Sequence, residues 1–261
     1  MTTTIRKPIA TALVLLGATF ALAACGDDDG DGDGGGDGAA SSDLPQGSEP
    51  VDLNPDDFTT KIDNPYWPME PGARWVYRET DQEGADQRVV VTVTDRTKKI
   101  ANGIDARVVR DVVSDTNSGE PVEITDDWYA QDSDGNIWYM GEATAEYENG
   151  KIVTRAGSFE AGVDGAQPGI IMPAEPEVGQ TYRQEYYRGK AEDEGAVVSL
   201  DAQAEVPAGH FDPALMTQDT NPLEPKVYEL KFYAKDVGPA LAVSVSGGSD
   251  REELLGYTKG G

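Results

Sequence analysis

Apolar positions along the chain fall into three regimes. Residues 9–22 form an almost unbroken apolar run, preceded by Arg6 and Lys7 and followed by Ala23 and Ala24. A polar start, an apolar core and a small-residue exit, in that order, predict an export leader over residues 1–24. The run is about 14 residues long and falls short of the ~20 needed to cross a bilayer as a permanent helix. Between Cys25 and Leu44 no large apolar residue occurs, and Gly and Asp dominate. Nothing there offsets the entropy of ordering, so residues 25–50 are predicted to be a disordered stalk. A Gly-rich coil of that length spans roughly 25–30 Å, and its like-signed Asp side chains extend it further.

From Val51 to Gly261 the pattern changes to β-branched and aromatic runs punctuated by turn dipeptides, with almost no helical periodicity. Pro71-Gly72 releases a first strand at residues 74–78, residues 88–94 form a second, and Asn102-Gly103 turns that strand into the next, over residues 104–113. Residues 122–131 and 137–141 flank a turn at Asp132-Ser133-Asp134-Gly135-Asn136, and Asn149-Gly150 closes a further hairpin. Residues 162–179 are rich in Gly and Pro and predict a long ordered loop or a cap over a sheet end. Strands are expected again at residues 181–188, 196–206, 215–219, 226–234, 240–246 and 252–257. Consecutive neighbours favour a meander. The fold class is therefore mainly β, a single antiparallel curved sheet or partial barrel with few short helices, in one domain over residues 51–261.

The leader exit, Leu22-Ala23-Ala24-Cys25, resembles the lipobox of bacterial lipoproteins, in which the Cys thiol is alkylated by diacylglycerol before cleavage in front of it. Cys25 is the only cysteine of the chain and has no intramolecular disulfide partner. The resemblance implies lipidation at Cys25, peptidase recognition through Leu22, Ala23 and Ala24, and a membrane anchor, because two acyl chains at one site suffice for stable attachment. The body is expected on the extracytoplasmic face of the cell membrane, with the outer membrane as the alternative. Residues 232–238, with residues 206–211 upstream, also resemble the closing strands of uncharacterised β-rich exported lipoproteins, some with curved sheets similar to those of lipoprotein carriers.

Charge narrows the partners. After loss of the leader the chain carries 19 basic against 48 acidic residues, a net of −29, and the body from Val51 onward stands at −21. Such a field repels phosphate backbones and excludes nucleic acid as a partner. It favours cations and basic proteins, and a small molecule of unknown identity is the other partner expected.

Candidate chemistry is sparse. Asp132, Asp134 and Asn136 place oxygens at alternate positions, as a calcium loop does in its first half, and Glu142 lies one step from the twelfth position. The same residues suit a hairpin turn, so possible Ca2+ is the one cofactor considered, against none. Trp67, Trp75, Trp128 and Trp138 either line a ligand cleft or form core and cross-strand pairs. His210 is the only histidine, and no Gly-x-Ser-x-Gly elbow accompanies it. No catalytic residue is assigned. The leading expectation is a non-enzymatic, lipid-anchored binding or interaction module. A divalent-cation-binding surface protein and a carboxylate-based glycosidase are the alternatives.

Overall fold

In the strand Arg74–Thr80, Trp75, Tyr77 and Glu79 point inward while their neighbours face out. That period of two, repeated around the molecule, builds a single antiparallel sheet. The structure, a computed structural model, describes residues 44–261. The leader, its recognition residues Leu22, Ala23 and Ala24, the lipidation residue Cys25 and most of the expected stalk lie outside the described residues.

After one 3₁₀ turn at Pro55–Asp57, capped by the Asn54 side chain, come the strands β1 (Phe58–Thr59), β2 (Arg74–Thr80), β3 (Asp86–Lys99) and β4 (Asp105–Asp115). They continue with β5 (Pro121–Asp132), β6 (Ile137–Glu148), β7 (Lys151–Thr154), β8 (Phe159–Glu160) and β9 (Gln167–Met172). Next are β10 (Thr181–Arg183), β11 (Glu185–Tyr186), β12 (Glu194–Val206) and β13 (Gly209–Thr220). The set ends with β14 (Tyr228–Ala234), β15 (Gly238–Ser246) and β16 (Arg251–Thr258). The predicted turn at Asn102-Gly103 is present, with Gly103 in the left-handed region at φ 96°.

Around the sheet the order is β10-β12-β13-β14-β15-β16-β2-β3-β4-β5-β6-β9-β11. The meander holds wherever consecutive strands pair, and the long-range pairing of β16 with β2 brings the chain end back to the first long strand. The two ends of that order are β10 and β11, which only Gln184 separates in sequence. Residues 181–186 therefore act as one strand that leaves β12 for β9 and nearly closes the sheet into a barrel. The backbones run close at this seam. A Cβ on Gly169 would run into the Arg183 carbonyl and the Gln184 backbone, and one on Gly195 would meet the Tyr182 ring.

Two expectations are corrected here. Residues 162–179 are not a continuous loop or cap, because Ile170-Ile171-Met172 belongs to β9, which pairs with β6 and carries the closure. The run is short, flanked by Gly and Pro, and buried on both faces, so it shows no alternation for a pattern to catch. The packed chain also begins before Val51. The Arg183 amide donates to the Pro45 carbonyl at 2.7 Å, and the Gln46 side-chain amide donates to the Thr181 carbonyl at 2.6 Å. This pins the last expected stalk residues against the seam.

One end of the barrel is filled by aromatic and aliphatic side chains. Ile62, Trp67 and Met69, from the segment before β2, are buried there against Trp75, Tyr77 and Tyr233. The Trp67 ring lies 5.7 Å from that of Tyr129 and 6.0 Å from that of Tyr233. Each such side chain contributes about 2–3 kcal/mol of transfer free energy on burial. Asn64 fastens the segment, donating from its side chain to the carbonyls of Gly135 and Pro173 at 3.1 and 3.0 Å.

Candidate functional site

The same inward face changes character along the barrel. On β2 it runs Trp75, Tyr77, Glu79, on β4 Val109, Asp111, Val113, and on β5 Tyr129, Asp127, Thr125, Glu123. Cross-strand register keeps these in one surface: Glu79 pairs with Gln87 and Glu252, Asp111 with Thr125, and Asp127 with Glu142. Beyond the aromatic end the interior is therefore lined by carboxyl groups. Among the described residues, Glu79, Asp111, Glu123, Asp127, Glu142, Glu185, Asp193, Asp219 and Glu252 are all buried.

Lys231 supplies the basic charge of this interior. Its Nζ lies 2.8 Å from Asp219 and 3.2 Å from Glu229. Burial works against its charge, but the two carboxylates outweigh that and hold its pKa well above the ordinary lysine value. The other buried bases are engaged with main chain. Arg107 donates to the Thr60 and Thr94 carbonyls, and Arg183 to those of Gly47, Glu49 and Pro168.

Asp127 and Glu142 flank one tyrosine, with Tyr139 Oη 3.0 Å from Asp127 Oδ1 and 3.0 Å from Glu142 Oε2. A phenol has one hydrogen to donate, so both contacts are hydrogen bonds only when one of the two acids carries a proton and donates back. Burial raises both acids, Glu142 to about 8, and each feels neighbouring carboxylates. Asp111 and Glu123 are pushed up to about 7, again first by burial. Glu252 is raised well above the carboxylate range by burial and by Glu79 and Asp111. Glu185 and Asp193 form a second buried acid pair whose charges bear on each other, with burial first raising Glu185 well above its ordinary value and Asp193 to about 7. In each of these raised acids burial favours the protonated form.

The residues expected from the sequence lie elsewhere or apart. Asp132 caps its own turn: Oδ1 accepts from the amides of Asp134, Gly135 and Asn136, and Oδ2 from the Asn136 side chain and Trp138 Nε1. Glu142 sits in the barrel interior opposite Asp127, five strand residues from Asp132, or roughly 17 Å along β5. Asp132, Asp134, Asn136 and Glu142 are thus not brought together, and among the described residues no group of three or more His, Cys, Asp or Glu is arranged to hold a metal ion.

The four tryptophans share no cleft. Trp67 and Trp75 are inside, Trp75 donating from Nε1 to the Val237 carbonyl at 2.7 Å and stacking on Tyr257. Trp138 meets Phe58 edge to face on the outer side. Trp128 faces outward under Lys98, whose Nζ sits 4.4 Å from the ring centre, beside a surface depression of about 390 Å3 that Arg96 and Asp126 also line. His210 is half-exposed against Glu205 at 2.8 Å.

The interior carboxyls were missed because β5 offers two phases. Val122, Ile124, Trp128 and Ala130 form the more apolar set, and alternation alone would turn them inward. The inward set is instead Glu123, Thr125, Asp127 and Tyr129, fixed by the aromatic packing around Tyr129. A usable signal existed, since acids stand two residues from an inward aromatic or aliphatic on strand after strand, as in Tyr77-Arg78-Glu79, Val109-Arg110-Asp111, Asp127-Trp128-Tyr129 and Glu252-Glu253-Leu254.

The fold and site together define a nearly closed antiparallel β-barrel with an acidic interior. No protein-family model matches the chain, and comparison with curated proteins found no match. Among solved structures the chain is similar to a candidate lipoprotein from Parabacteroides distasonis ATCC 8503, with 13% identity over 74% of this chain and 98% of that one and a TM-score of 0.38. It is also similar to a β-barrel-like domain of unknown function, DUF1849, from Brucella abortus, with 13% identity over 72% of this chain and 98% of that one and a TM-score of 0.39.

Proposed function

We propose that this chain is a binding module, tethered outside the cytoplasm through Cys25, whose ligand site is the acid-lined barrel interior and whose ligand carries positive charge. The observation that carries the reading is the set of nine buried carboxyl groups beside one buried lysine. Burying a carboxyl without a cation or donor is costly, and folding alone selects apolar side chains for such positions. Places where a sequence breaks the folding rules on several adjacent strands are expected to be functional. A cation entering this interior relieves the repulsion among the carboxyls and takes the place of the shared protons.

Carboxylate-based hydrolysis is the weaker reading, because the Asp127 and Glu142 carboxyls are buried against Tyr139 and not set across an open aromatic cleft. The test is thermal unfolding against a panel of alkylamines, basic amino acids, neutral sugars and fatty acids. Cationic compounds should raise the melting temperature, since a ligand specific to the folded state stabilises it, and Asp127→Asn with Glu142→Gln should remove most of that gain. Stabilisation by sugars or fatty acids alone, or turnover of a glycoside, would contradict the proposal.

A further inference from the structure

The outer wall of the barrel carries a depression whose charge runs against that of the body. Between Val93 and Thr97 the register of β3 on β4 shifts, so that Thr94, Asp95 and Arg96 stand opposite Val108 alone. A bulge of this kind gives up ladder hydrogen bonds, bends its strand and re-aims side chains. Here its polar groups are tied in place. Thr94 Oγ1 donates to the Val108 carbonyl at 2.6 Å and accepts from the Arg96 amide at 3.2 Å. The buried Arg107 donates from Nη1 to the Thr94 and Arg96 carbonyls at 3.3 and 3.5 Å. From this fixed bulge Arg96 reaches across β4 to Asp126 of β5, at 3.2 and 2.8 Å, and Lys98 reaches across it to the face of Trp128. Arg110 holds the same Asp126 carboxylate at 2.8 and 2.9 Å, so both its oxygens are occupied.

We propose that this depression, of about 390 Å3, binds a small organic anion, a carboxylate carried on an apolar ring or chain. Arg96 and Lys98 receive the carboxylate, and Val108, Trp128 and Ala143 meet the apolar part. Of the charged side chains that line the space, two are basic and one, Asp126, is an acid already neutralised by its two arginines. Each of those guanidinium groups spends two of its five N–H groups on Asp126 and, being half-exposed, keeps the rest for a ligand. A guanidinium fork matches a carboxylate in geometry as well as charge. Lys98 is set beside it, its Nζ 2.9 Å from Glu160 and 4.4 Å from the centre of the Trp128 ring. That ammonium occupies the aromatic face on which a neutral sugar would stack, which favours an anion over a carbohydrate. The volume falls within the roughly 300–1,000 Å3 of small-molecule sites. On a body at −21, basic side chains gathered over an aromatic floor are the reverse of what solubility requires. The site lies on the outer face and is independent of the reading of the interior.

The experiment uses the full-length chain in a non-ionic detergent at physiological ionic strength, where exposed acids are screened beyond about 8 Å. Phenylacetate is titrated while the Trp128 indole N–H is followed in 1H–15N spectra, its resonance assigned by its loss in Trp128→Phe. Saturable movement of that resonance is expected, with a Kd that is roughly millimolar or tighter. Binding should weaken about tenfold or more in Arg96→Gln and in Lys98→Gln. Both residues sit in surface ion pairs that add little to stability, so these variants keep the fold. Lys226→Gln, which removes an exposed base between β13 and β14, should bind as wild type does. Equal affinity in the two site variants overturns the proposal, as does a Trp128 resonance that stays still. Equal binding of the neutral phenylacetamide overturns the anion assignment. Tighter binding of inorganic phosphate than of phenylacetate overturns the role given to the apolar floor.

Discussion

Glu142→Gln isolates the energetic consequence of the acidic interior. Glu142 has a pKa raised from 4.5 to about 8 in the folded chain. A shift of that size corresponds to about 5 kcal/mol between the protonated and ionised forms. Because the folded pKa is the higher one, the folded state binds more protons than the unfolded state across the interval, so stability falls as pH rises from about 4.5 through about 8. The cost is absent below that window and complete above it. Asp111, Glu123 and Asp193, all raised to about 7, act in the same direction over the lower part of the window. Ionising all four in the closed barrel therefore costs stability, which a cation or water among them would restore. Carboxylates with lowered pKa, such as Asp126 between Arg96 and Arg110, lose their contribution only as pH falls through their own acid range, so they do not mask the effect.

Gln keeps an oxygen for Tyr139 and cannot ionise. Urea unfolding of wild type and Glu142→Gln at about pH 5 and about pH 8.5 should show near-equal stability at the lower pH and a gain of up to about 5 kcal/mol for the variant at the higher one. A wild-type stability that is level or rising across the interval, or a variant whose pH dependence is as steep as wild type, would refute the reasoning.

Further expectations concern the cation, the seam and the anchor. Lys231→Met leaves Asp219 and Glu229 buried without their partner and should cost about 3–5 kcal/mol at neutral pH by urea unfolding. Gly169→Ala pushes a methyl into the Arg183–Gln184 backbone and should cost about 2 kcal/mol while loosening closure, read as faster amide exchange in β9 and β11 than elsewhere. Asp126→Asn weakens a clamp formed by two half-exposed arginines, and its cost should stay near 1 kcal/mol. Cys25→Ser should move the protein from the membrane fraction to the soluble extracytoplasmic fraction, as followed by fractionation and immunoblot. Unchanged membrane association would remove the lipid anchor from the account.

Much of the fold was legible because strands and turns are local events. Gly103 needs left-handed backbone, and Trp75 and Tyr77 alternate cleanly with Arg74, Val76 and Arg78, so the turn and the strand show in the sequence. Closure was hidden for two reasons. β9 is buried on both faces and carries no alternation, and the change of partner at Gln184 depends on contacts with residues distant in sequence, Gly169 and Gly195. The site was hidden for a deeper reason. Alternation identifies two faces of a strand but not which one is inside, and the rule that breaks the tie, apolar inward, fails on β5, where Asp127 and Glu123 follow Tyr129 into the barrel. Asp132 and Glu142 are near in sequence, but the hairpin sends them to different places, one into its own turn and the other into the interior.

The most direct measurement is a carbon-13 titration of the side-chain carboxyls in chain labelled at Asp and Glu. Most carboxyls, being exposed, should titrate near pH 4, while a separate group that includes Asp111, Glu123, Glu142 and Asp193 should titrate between about pH 6 and 8.5 and lose its resonances in the corresponding Asn and Gln variants. A folded protein in which every carboxyl carbon completes its titration below about pH 5 would contradict the acidic interior, and with it the binding site proposed there.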